Sequence, residues 1–157
     1  MSGNPGSIND LLRRHPRVAI DSNVLIYLTE GDPDRADAAA LIVDSISDGR
    51  TEGVLSSASL SEVLVGPARS GDGAAFERLA ATIRDLGFRV AALDATAAED
   101  AAWIRGRSGM SLPDAMHVAC ARAAGATVFV TNDRRIASRP GLEVVYLDDL
   151  IANEPPA

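Results

Sequence analysis

Short apolar, β-branched runs alternate with longer stretches of helical spacing along this chain, and that alternation restricts the fold more than any other feature. The runs are "RVAI" (17–20), "GVLSSA" (53–58), "RVAALD" (89–94), "TVFVT" (127–131) and "EVVYL" (143–147). A short apolar run of this kind is the pattern of a strand covered on both faces. Between them, residues 33–47 carry helical spacing through Ala36, Ala40, Ile42, Val43 and Ile46, with Asp32 and Pro33 as the expected start. "SLSEVLVGPA" (59–68) reads as a helix halted at Gly66-Pro67, and 73–86 as an amphipathic helix. Asp94 or Thr96 can cap an alanine-rich helix through Arg105, and 111–125 opens at Ser111, places Pro113 in its first turn and stops at Gly125. Strand–helix alternation predicts an α/β fold, a central five-stranded parallel sheet with helices on both faces. In such sheets ligands bind beyond the carboxyl ends of the strands, where the strand order reverses.

With 157 residues, 46% of them apolar and 24% charged, the chain is expected to form one domain over 17–152. Residues 1–16 read as an N-terminal extension with room for one helical turn, and 153–157 as a C-terminal tail. Cys120 is the only cysteine, so no intrachain disulfide can form, and two histidines beside it do not make a structural zinc site. No run approaches the ~18 apolar residues of a membrane span, and no apolar core follows Met1 as in a signal peptide. A cytoplasmic protein is expected. The net charge of −7 argues against a general nucleic-acid binder. All fifteen basic residues are arginine, whose planar fork suits phosphate oxygens.

Four carboxylates stand at the predicted strand ends and helix starts. Asp21 ends the first strand, Asp133 follows the fourth, Glu62 lies just inside the helix after the second, and Asp114 sits beside Pro113. Each has an ordinary alternative: Asp21 and Asp133 as helix caps, Asp114 in a box with Ser111, Glu62 as a solvated helix residue. Together they would repel one another unless a cation offset them. Carboxylates without thiolate or histidine partners select magnesium or manganese. Such an ion would bridge the acids to a phosphodiester and activate water against it.

At these residues the chain resembles the PIN-domain nucleases and, within them, the VapC toxins of bacterial toxin–antitoxin pairs. The carriers are "IDSNVLIYL" with Asp21, "SSASLSEVLVGP" with Glu62, "GMSLPDAMHVACA" with Asp114 and "VFVTNDRR" with Asp133, in order over roughly 17–150. The resemblance implies a three-layer PIN sandwich and magnesium-dependent endoribonuclease activity, with manganese able to substitute. It casts Asp21, Glu62, Asp114 and Asp133 as a catalytic acidic quartet, with Asp21 and Asp114 as the direct metal ligands. Ser22, Asn23, Thr131 and Asn132 would orient those carboxylates. It further implies a homodimer, an RNA substrate and a VapB-type antitoxin that blocks the site.

His117, one turn after Asp114, reads first as a packed core histidine and only second as a ligand. Ser56, Ser57, Ser59 and Ser61 lack the partners of a nucleophile cluster, and there is no G-x-S-x-G. Trp103 is expected in the core or a dimer contact, and Cys120 as a small buried residue. In "TNDRR", Asp133 would point into the cluster while Arg134 or Arg135 holds an RNA phosphate; the alternative is that these arginines pair with acids such as Glu99 or Asp149. Two rival functions are weaker. Receiver domains and haloacid-type phosphatases use a lysine, and a P-loop needs GK[ST], whereas this chain has no lysine. A PIN fold kept only for binding would be marked by a lost acid, and all four are present.

Overall fold

A computed structural model of the chain describes residues 6–156; residues 1–5 of the expected extension and residue 157 of the tail lie outside it. The strands are β1 (Arg17–Ile20), β2 (Glu52–Ser56), β3 (Arg89–Ala91), β4 (Val128–Thr131) and β5 (Glu143–Tyr146). They form one sheet in the order β3-β2-β1-β4-β5, with every neighbouring pair parallel. Helices α1 (Ile8–Arg14), α2 (Ser22–Glu30), α3 (Ala36–Ser47), α4 (Ser57–Ser70), α5 (Gly73–Asp85), α6 (Ala95–Arg107), α7 (Leu112–Ala123) and α8 (Leu147–Ala152) cover it.

Side-chain alternation along the central strands divides the core into two layers. Val18, Ile20, Val128 and Val130 face Val24, Leu25, Ile42 and Val43 of α2 and α3. Ala19 and Phe129 face Ile104 of α6 and Val118 and Ala119 of α7. This is the expected three-layer α/β sandwich. From β1 the chain steps outward through β2 to β3, then crosses to β4 on the other side of β1. The strand order therefore reverses between β1 and β4, and the residues that follow them share one sheet edge.

Several local expectations are corrected. The segment before the first strand holds a two-turn helix, α1, closed by a capping box between Ser7 and Asp10. Its Ile8 and Leu11 are fully buried in the core, so the helix packs as part of the domain, against α3. Helix α3 starts at Ala36 instead of Pro33, because the Asp32 carboxylate accepts the backbone N–H groups of Asp34 and Arg35 and holds a turn there. Helix α4 runs through Gly66-Pro67 to Gly71, where a φ of 72° ends it. Gly66 has no Cβ to meet the Pro67 ring, which removes one of the obstacles that a proline sets to helix at the preceding residue. Strand β3 is only three residues long and lies at an exposed edge. Trp103 is 68% exposed and lies in no core cluster; Arg107 stacks over its ring. Cys120 is buried, as expected.

Candidate active site

Asp21 follows β1 at the reversal point and caps α2, its Oδ1 accepting the Ser22 N–H at 2.8 Å. Its Oδ2 accepts the Thr131 hydroxyl at 2.7 Å, so the ends of the two central strands are joined through this carboxylate. Asp21 is 6% exposed. Burial pushes its carboxyl above the ordinary carboxylate range and the Glu62 charge adds to this, while the Thr131 hydroxyl and the Ser22 N–H oppose it. An acid held there is under electrostatic pressure to take up a proton or a cation.

Glu62 reaches the same place from α4. Its Oε2 accepts the Ser22 hydroxyl at 2.5 Å, and its Oε1 lies 3.1 Å from His117 Nε2 on α7. Among the described residues, Asp21, Glu62 and His117 offer ligand atoms that all lie within 4.8 Å of one another. Asn23 donates from Nδ2 toward Thr131 Oγ1 at 3.3 Å and Asp21 Oδ2 at 3.5 Å, which fixes its amide orientation. Its Oδ1 is then buried with no hydrogen-bond partner, an acceptor left open on the residue whose amide faces Asp21.

A model of the PIN domain matches residues 18–142. The chain belongs to the PIN domain family. No curated protein matches it. Among solved structures, a toxin–antitoxin complex from Klebsiella pneumoniae shares 21% identity at a TM-score of 0.62, covering 80% of this chain and 94% of that one. VapBC2 from Rickettsia felis, bound to a DNA fragment from its promoter, shares 17% identity at a TM-score of 0.63, covering 83% and 98%. VapC20 of Mycobacterium tuberculosis, a Sarcin-Ricin loop cleaving toxin, shares 20% identity at a TM-score of 0.56, covering 71% and 86%. These likenesses establish the shared fold.

Within this PIN domain the four acids are not equally placed. Asp21 and Glu62 meet through Ser22. Asp114 lies in the first turn of α7, one turn before His117, and its Oδ2 accepts the Ser111 hydroxyl at 2.6 Å. Asp133 is tied to Asp21 only through Thr131, whose Oγ1 accepts the Asp133 N–H at 3.0 Å. Its carboxylate is forked by Arg135, with Nε at 2.9 Å and the terminal nitrogen at 2.7 Å, and that guanidinium holds it below the ordinary range. Arg135 also feels the Asp114 charge. Arg134 forks Asp149 at 2.7 and 2.9 Å and lies over the Tyr146 ring. The expectation of one outward arginine beside an inward acid is therefore corrected: both arginines are paired, and Arg134 takes the Asp149 alternative. Asn132 also departs from its expected place, since it bonds Asp148 and Tyr27 and fastens the β4 end to α8. His117, read first as a core residue, is both buried and part of the site. A histidine one turn after Asp114 was the available signal; its partners on α4 were not.

Proposed function

We propose that this PIN domain is the toxin of a type II toxin–antitoxin system and acts as a magnesium-dependent endoribonuclease, with manganese able to substitute. The observation that carries the reading is the buried Asp21 carboxylate, raised in pKa, with the Glu62 carboxylate beside it. Oxygen donors dominate, which fits a hard cation. Asp21 would hold the ion directly, and the family resemblance assigns Asp114 as the second direct ligand; Glu62 and Asp133 would act at the margin through water or a further ion. When bound, the ion supplies a more acidic water and offsets charge on the leaving oxygen of the phosphodiester. The chain's own residues do the positioning: Thr131 and the Ser22 N–H fix both oxygens of Asp21, Ser22 couples it to Glu62, and Arg135 holds Asp133 until substrate or cation competes for it.

The likeness to structures described as toxin–antitoxin and VapBC complexes supports a VapB-type antitoxin as partner. In this reading the antitoxin presents an arginine or lysine to the acids and excludes RNA. A homodimer is part of the same proposal. The test is incubation of the purified protein with total RNA and magnesium, followed by mapping of fragment 5′ ends. Discrete internal cuts that EDTA and Asp21→Asn abolish are expected. Intact RNA together with phosphate release from small monoesters would replace the nuclease with a phosphatase.

A further inference from the structure

His117 is 3% exposed, yet both of its ring nitrogens are engaged. Its Nδ1 lies 2.8 Å from Ser56 Oγ and 3.0 Å from Ser59 Oγ, and its Nε2 lies 3.1 Å from Glu62 Oε1. All three partners come from one stretch of chain: Ser56 caps α4, Ser59 lies in its first turn and Glu62 follows one turn later. Spacing of three residues puts them on one helix face, turned toward α7.

The protons can be assigned from the network. Ser56 Oγ accepts the Ser59 N–H at 3.0 Å and donates to Ser59 Oγ at 3.1 Å. The Ser59 hydroxyl hydrogen is then free to point at His117 Nδ1, an arrangement in which that nitrogen is the acceptor. The ring proton therefore sits on Nε2 and is donated to Glu62, which accepts as a carboxylate. The opposite arrangement would need a protonated Glu62, although that side chain is 45% exposed. Glu62 Oε2 meanwhile takes the Ser22 hydroxyl, beside Asp21. A long, half-solvated side chain is thus pinned at both oxygens before any cation arrives.

We propose that His117 is a positioning residue: Ser56 and Ser59 select its Nε2–H tautomer, and that N–H sets the Glu62 carboxylate against Asp21. The inference rests on the metal-dependent reading of the same site. It also gives His117 a role other than ligation, because a nitrogen carrying a proton has no lone pair for a metal. Outer-shell partners of this kind typically change metal affinity or activity by about 10–100-fold when removed.

The variants His117→Gln, His117→Asn and His117→Ala separate the possibilities. A glutamine amide reaches the place of Nε2 and can donate to Glu62, whereas an asparagine amide reaches only the place of Nδ1. Manganese binding and kcat at saturating RNA are expected to fall about 10–100-fold in His117→Asn and His117→Ala and to recover in His117→Gln. The metal-free protein should show the Nε2–H tautomer of His117 in long-range 1H–15N spectra, and this needs no variant to fold. An Nδ1–H tautomer would free Nε2 for metal and overturn the proposal, as would equal behaviour of the three variants. If the wild type cuts no RNA, the nuclease reading falls, while manganese affinity and tautomer still decide the role of His117.

Discussion

The Thr131 hydroxyl stands 2.7 Å from Asp21 Oδ2, and this contact joins the carboxyl ends of β1 and β4 where the strand order reverses. Thr131 is fully buried, and its oxygen also accepts the Asp133 N–H and faces the Asn23 amide. Thr131→Val keeps the shape but strips a donor from Asp21 and an acceptor from two part-buried groups. A loss of about 1–3 kcal/mol in urea unfolding is expected, together with weaker divalent binding. Wild-type stability in the variant would show that the hydroxyl does no structural work.

Divalent ions should stabilise the native state, because the unfolded chain has no assembled site. At a hundredfold excess over Kd the gain is about 2.7 kcal/mol, which for a domain of this size is roughly 5–10 °C in Tm. Asp21→Asn and Asp114→Asn are expected to fold, to lose this shift and to lose cleavage. A thermal scan with magnesium, manganese and EDTA checks it; full activity of Asp114→Asn in magnesium would remove that residue from the ligand set.

Asp133 and Arg135 give a pH dependence of known sign. The pair holds the Asp133 carboxyl below its ordinary value, so its stability is present above that value and lost as pH falls through the lower folded one. Arg135→Gln should therefore be less stable than wild type at neutral pH, and the difference should vanish in acid. Arg135 is well exposed, so solvent screening keeps the effect small. Denaturant unfolding at several pH values measures it, and a difference that grows in acid would contradict the pairing.

Gly53 tests the packing behind the site. A Cβ there would lie 2.6 Å from Ile46 Cγ2 and 2.8 Å from Phe88 Cδ1, closer than carbon atoms approach. Gly53→Ala is expected to cost about 1–3 kcal/mol in unfolding while leaving the divalent shift in place. An unchanged midpoint would mean that α3 and the segment before β3 can move aside freely.

The elements of this PIN domain were legible in the chain because their signals are local. Apolar runs gave the five strands, the Ser111–Pro113 start gave α7, and the position of Asp21 between a strand and an apolar helix marked a cap. Alternation of the two element types was enough for a parallel sheet, since parallel strands require crossovers. Local rules failed where distant chain decides the outcome. Helix α1 belongs to the core because Ile8 and Leu11 find a partner surface on α3, and α4 runs on through Gly66-Pro67 to Gly71. The strand order was likewise beyond local reading, and it is what brings Asp21 to Thr131, 110 residues apart, and His117 to Glu62, 55 residues apart. Which acids share a site, which one Arg135 holds and which nitrogen of His117 carries the proton are set by those long-range hydrogen bonds. They have no period and no spacing, so only the folded sheet could decide them.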